Sequence, residues 1–166
     1  MTRRSRGREI ALQVLYQMEQ NPGIDPAEVR KFIERRLLGD RRLVEYTEGM
    51  VAGVQANKPR IDALISDAAE NWRIDRMAAI DRNILRLGAY EMVFRPEVPP
   101  KVAITEALEL AKRYSTAQSS RFVNGVLDRL HTVTPAETAP KSLPTIEISP
   151  EPEPEPEPGP EPEPAD

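Results

Sequence analysis

Met77-Ala78-Ala79-Ile80-Asp81-Arg82-Asn83-Ile84-Leu85-Arg86-Leu87-Gly88-Ala89-Tyr90-Glu91-Met92 is the stretch that decides the fold. Counted at 100° per residue, Met77, Ile80, Ile84, Leu87 and Gly88 share one face of a helix, while Ala78, Leu85, Ala89 and Met92 fill a second. A helix that is apolar on two faces is wrapped by others, so this one is expected at the centre of a bundle. Asp75 reads as its cap and Arg95-Pro96 as its stop. Glu91 falls in the middle of the first face. A buried carboxylate needs a partner, and an arginine or a helix N-terminus is the expected one. No second carboxylate or histidine is placed to make Glu91 a catalytic acid.

Outward from this centre the chain reads as helix after helix. A first helix, from residue 6 or 7 to 19, carries Ile10, Ala11, Val14, Leu15 and Met18 on one stripe and stops at Asn21-Pro22-Gly23. Asp25-Pro26-Ala27-Glu28 opens a second with a cap, a first-turn proline and a carboxylate three positions on. Gly39-Asp40 recaps a third, and Pro59 is expected to open a fourth that ends near Trp72. The central helix is then the fifth. A sixth follows Pro99-Pro100, residues 115–119 form a loop, and a seventh spans residues 121–130. No stretch alternates with period two for long enough to make a strand. The expected fold is all-α, a single compact bundle of about seven helices.

Charge divides the chain in two. Residues 135–166 hold nine acidic side chains, one lysine and 11 of the 17 prolines. Removing them from the whole-chain totals leaves 22 basic and 18 acidic residues, so residues 1–134 are net basic although the full chain is net -4. The reading is a helical domain over 1–134 and a disordered Glu-Pro tail over 135–166, because alternating Glu and Pro self-repels and favours extended polyproline II. Such a tail solubilises, or competes with RNA for basic side chains. There is no cysteine, which excludes disulfides, thiolate metal sites and cysteine nucleophiles. No apolar run approaches the ~20 residues that span a bilayer. A cytoplasmic protein with no membrane role, no metal and no cofactor is expected.

Arg3, Arg4, Arg6 and Arg8 crowd the first eight residues with no acidic residue among them. Guanidinium forks pair with phosphate bidentately and never lose charge, so nucleic acid is the first partner to test. Arg4 would point into the apolar stripe if the first helix ran through it. The helix is therefore expected to begin near Ser5, leaving Arg3 and Arg4 on a mobile arm. Tyr16 faces away from that stripe and reads either as a protein-contact residue or as part of a second packing surface. Phe122 lies on the flank of the last helix beside Gln118, placed to stack a base or to pack half-buried. Trp72 reads as a core anchor, and His131 as a complement to a helix C-terminus. No phosphate-binding or metal-binding motif appears, and no catalytic apparatus is visible.

The part of the central stretch from Asp81 to Met92, together with Val98-Pro99-Pro100-Lys101-Val102-Ala103-Ile104-Thr105-Glu106-Ala107, Leu110-Ala111-Lys112-Arg113-Tyr114 and Arg121-Phe122-Val123-Asn124-Gly125-Val126-Leu127-Asp128, strongly resembles the NusB family. So does Arg6-Gly7-Arg8-Glu9-Ile10-Ala11-Leu12-Gln13-Val14-Leu15-Tyr16. The likeness covers roughly residues 3–131 and leaves the Glu-Pro tail outside. It implies an all-helical transcription antitermination factor, not an enzyme, that binds boxA RNA of ribosomal RNA transcripts with the ribosomal protein NusE and joins the RNA polymerase antitermination complex. Carried over by position, Arg4, Arg6 and Arg8 match the arginine-rich RNA-binding start, although Ser5 interrupts it, and Arg3 joins them as a candidate RNA contact from the charge cluster. Lys101, Gln118, Ser119 and Phe122 stand where further RNA contacts are implied. Tyr16 and Asp81 stand at the implied NusE interface, where Asp reaches less far than Glu. A similar domain fronts certain ribosomal RNA cytosine methyltransferases, but this chain shows neither a cofactor loop nor a catalytic cysteine. A helical protein-interaction module without RNA binding is the other alternative. A homodimer is left open.

Overall fold

A computed structural model of the protein describes residues 2–133, so the Glu-Pro tail lies outside the described residues. The elements are α1 (Arg3–Gln20), α2 (Pro26–Arg36), α3 (Arg41–Ala68), a 3-10 turn (Ile74–Arg76), α4 (Ala79–Phe94), α5 (Pro100–Tyr114) and α6 (Ala117–Val133). Among the described residues there is no strand. The expected seven helical elements are present, but divided differently.

α4 sits at the centre, in contact with α1, α3, α5 and α6. Ile84, Leu85, Leu87 and Ala89 are buried on it, as the two-faced pattern requires. Burial of each of its large aliphatic side chains contributes about 1.5–3 kcal/mol. Gly88 admits Leu127 of α6, whose Cδ1 would stand 2.9 Å from an added Cβ. α2 packs outside, against α3 and α1. The core is continuous through all six α-helices.

Three boundaries beyond α2 depart from expectation. Pro59 lies inside α3 rather than opening a new helix. A mid-helix proline costs about 3 kcal/mol or more; here Val54, Ile61 and Ile65 are buried on either side of it, and their burial offsets that cost. The central helix begins at Ala79, not at Asp75. Asp75 falls in the 3-10 turn, and Ala78 caps α4 with no side-chain hydrogen bond. The loop before α6 shrinks to Ser115 and Thr116, because Thr116 Oγ1 accepts from the Ser119 amide and starts the helix early. Among the described residues no helix is long and apolar enough to cross a membrane.

Candidate nucleic-acid interface

α1 begins at Arg3, two residues before the expected start, because the Thr2 hydroxyl caps it by accepting from the Ser5 amide at 3.0 Å. Arg3 and Arg4 thus sit on the first helical turn instead of a mobile arm. Neither enters the core. Arg3 pairs with Asp40, the cap of α3. That hydrogen bond from Arg3, with one from the Leu43 amide, holds the Asp40 carboxyl below its ordinary value. Arg4 lies over the Tyr46 ring, its guanidinium carbon 5.7 Å from the centroid, and Arg95 lies 5.9 Å from the same centroid. From the sequence Arg95 is legible only as a helix stop. Its place on Tyr46 depends on the packing of α1, α3 and α4, and no local signal marks it.

Arg6 remains at the surface, bonded to Glu9 at 3.0 Å. Arg8 does not. Only 4% exposed, it donates from Nε to Glu91 Oε1 at 2.6 Å, with Glu106 3.8 Å from its Nη1. Arg8 is the arginine expected opposite Glu91, and for that reason it is removed from the phosphate-facing set. Burial pushes the Glu91 carboxyl above its ordinary value, and Arg8 only partly offsets this.

The outer side of α1 is bridged to α5 by side chains. Ser5 donates to Glu106, Arg113 pairs with Glu9, and Gln13 donates to the Tyr114 hydroxyl. That order along both helices makes them parallel, so Arg3, Arg4 and Lys101 occupy the same end of the molecule. Lys101 is exposed in the first turn of α5. Further along α1, Leu12 and Glu9 are buried, so the second packing surface exists, yet Tyr16 emerges from it 41% exposed. Burial alone would raise Glu9, but hydrogen bonds from Tyr114, Arg6 and Arg113 bring its carboxyl below the ordinary value.

The structure brings Asp81, Gln118, Ser119 and Phe122 together in a groove of about 340 Å³. Asp81 is only 8% exposed, and its two oxygens accept from Ser115 at 2.7 Å and Ser119 at 2.9 Å. Its place at the third position of α4 also suits the helix dipole. As a contact for a protein partner it is largely spent; it clamps the short α5–α6 connection and so fixes where Gln118 stands. Ser119 is likewise committed to Asp81, whereas Gln118 is exposed at the rim. Phe122 is half-buried and meets Trp72 edge to face, with centroids 5.7 Å apart. Trp72 is no core anchor: it is 59% exposed and lines the groove with Arg76. Sequence reading misses both, because they belong to the connection after α3 and only tertiary packing brings that connection onto α6.

Among the described residues no group of three or more His, Asp or Glu is placed to hold a metal ion. The arrangement offers cations, an aromatic corner and an amide.

A family model described as the NusB family matches residues 5–132. The chain is 48% identical over 130 residues to the transcription antitermination protein NusB of Sorangium cellulosum (strain So ce56), covering 78% of this chain and 92% of that protein. It is 44% identical over 133 residues to the protein of the same name from Myxococcus xanthus (strain DK1622), covering 78% and 95%. Among solved structures it resembles T. maritima NusB, with a TM-score of 0.72 and 36% identity over 82% of this chain and 96% of that one. It also resembles a structure described as antitermination factors NusB and NusE in complex with dsRNA, with a TM-score of 0.72 and 28% identity over 81% and 99%.

Proposed function

The chain belongs to the NusB family, and from that premise we propose that it is a transcription antitermination factor that binds boxA-type RNA of ribosomal RNA transcripts together with NusE. The observation that carries the RNA part is the cationic end formed by Arg3, Arg4 and Lys101, all exposed. Positive charge in the first turn of α1 opposes the helix dipole, at a cost of about 0.3–1 kcal/mol per residue. An anionic ligand reverses the sign of that effect. Arg6 adds a fourth cation, while Arg8 supports the site from inside.

The exposed Tyr16 face is the surface we assign to NusE, with Asp81 acting behind it through the α5–α6 connection. The RNA is read as single-stranded where the protein touches its bases, since an A-form duplex hides base edges in a deep, narrow groove. The action is binding without turnover, in the cytoplasm, within the antitermination complex on RNA polymerase.

The test is a titration of labelled boxA RNA with the full chain, alone and with NusE, with a duplex of the same sequence as competitor. Binding should tighten with NusE, and three to four phosphate contacts give a slope of log K against log salt of about -2 to -3. Affinity that ignores salt overturns the phosphate contacts. NusE binding with no RNA bound under any condition returns the chain to a plain protein-interaction module.

A further inference from the structure

We propose that the Glu-Pro repeats over 150–164 dock on the cationic end of their own chain and compete there with RNA. This rests on the RNA reading above and adds a regulator of that same site. The surface is wider than Arg3, Arg4 and Lys101. Arg3 pairs with Asp40, the residue just before Arg41 and Arg42, so the start of α3 lies against the start of α1. Directly before that, the end of α2 carries Arg35 and Arg36. All four of these arginines are exposed. Arg35 and Arg42 form no ion pair among the described residues, Arg41 reaches Glu45 only at 3.8 Å, and Arg36 lies over the Phe32 ring at 5.7 Å.

The two arginine pairs are held apart by a fixed turn. Leu38 and Gly39 have φ of 53° and 68°, and the Gly39 amide donates to the Glu34 carbonyl at 3.0 Å. Leu37 is buried and anchors the turn, whereas Leu38 stands 92% exposed between the pairs. The first turns of α1, α3 and α5 contain no acidic residue, so little there cancels the cations. Elsewhere positive charge is spent internally: Arg8 on Glu91, Arg86 on Asp62 and Glu19, Arg129 on Glu70.

The complement lies on the same chain. Glu151, Glu153, Glu155, Glu157, Glu161 and Glu163 alternate with proline, and no cation dilutes them. Ile146 and Ile148 come just before the repeats, apolar partners for Leu38. Roughly 18 residues separate the end of α6 at Val133 from Glu151, a reach of up to about 60 Å. A domain of this size has a radius of gyration of about 14 Å, so the repeats reach the cationic end. Tethering keeps them at an effective concentration on the order of millimolar. One exposed carboxylate–arginine contact is weak; several in a row at that concentration hold the surface for much of the time. A surface open between about a tenth and a third of the time lowers apparent RNA affinity about three- to tenfold.

The test keeps the full chain and removes only charge, with Glu→Gln at the six repeat positions. Labelled single-stranded boxA-type RNA is titrated into both chains across a salt series, and their backbone amide NMR spectra are compared without RNA. The neutral-tail chain should bind RNA about three- to tenfold tighter near 50 mM salt, and the gap should close above about 200 mM as screening releases the repeats. Amide shifts between the two chains should cluster at residues 35–42 and at the starts of α1 and α5. Equal RNA affinity at low salt, or superimposable spectra, overturns the proposal and leaves the RNA reading standing. Shifts gathered on another face overturn the assigned surface. Shifts that grow with protein concentration make a second copy the recipient and overturn docking within one chain. If neither chain binds RNA while the shifts remain at the cationic end, the RNA reading fails and the docking stands.

Discussion

Arg8 and Glu91, 83 residues apart in sequence, meet at 2.6 Å between Nε and Oε1 inside the bundle, each almost sealed from water. A buried ion pair is weak evidence of stability, but breaking one strands a charge and costs about 3–5 kcal/mol. Arg8→Met should therefore lower the unfolding free energy in urea by that order, and Arg8→Met with Glu91→Leu should recover much of it. RNA affinity of the folded Arg8→Met protein, measured in the cold, should stay as it is. A stable Arg8→Met protein that no longer binds RNA would return this arginine to the interface.

Arg3 and Arg4 give the opposite pattern. Both are exposed, and replacing them with alanine disturbs nothing in the core. The melting temperature should hardly move, while the salt slope of RNA binding falls by about 0.7 for each phosphate left without its arginine. A slope identical to that of the wild-type protein places the phosphates elsewhere.

Tyr16→Ala truncates a ring that α1 turns outward past its buried Leu12. NusE affinity should drop by about 1–2 kcal/mol or more if the ring anchors the interface, and binding of RNA alone should be unchanged. Calorimetry with each partner separately measures this; equal losses for both would join the two surfaces into one.

Acid should release α1 from α4 through Glu19. Burial alone would raise this carboxyl, but Arg82 and Asn83 hydrogen-bond it and Arg86 adds charge, so its folded value lies below the ordinary one. A depressed carboxyl contributes stability that is present above the unfolded value and lost as pH falls through the folded value. Glu19→Gln should flatten the fall in stability between about pH 5 and pH 3. Glu91, shifted upward, works in the reverse sense: its ionisation as pH rises through its raised value disfavours the folded state. Glu91→Gln should therefore leave the acid limb near pH 3 intact.

Gly53 carries the Tyr90 phenol across its bare backbone, and a Cβ added there would overlap the hydroxyl. Gly53→Ala should cost about 1–3 kcal/mol through overpacking. Thermal melts of Gly53→Ala and of Gly49→Ala, whose added Cβ meets nothing, separate this clash from glycine entropy.

How far the sequence can be read follows from these residues. The place of α4 is legible because two apolar faces need no partner to be named. Glu91 announces a partner by its position, and the identity of that partner comes only with packing. Pro59 misleads because a proline is a local signal that burial of Ile61 and Ile65 overrides, and Asp75 because it falls in the 3-10 turn that precedes α4 instead of capping it. Within the candidate site the exposed arginines are visible as a cluster. Burial of Arg8, the clamp at Asp81 and the turn of Trp72 onto Phe122 are long-range facts, and no spacing along the chain encodes them. Trp72 escapes for a further reason: a tryptophan at a helix end looks the same whether it is bound for the core or for the surface.

The guanidinium of Arg82 reaches Glu19 as well as the Ile74 and Met77 carbonyls. The connector between α3 and α4 therefore takes part of its shape from a side chain donated by the bundle. Within residues 69–78, Ala69 and Met77 are buried and Glu70 pairs with Arg129, so it is exposed positions such as Asn71 that can change identity without altering that conformation. Variation in that connector would then retune what the groove accepts without disturbing how the scaffold is built.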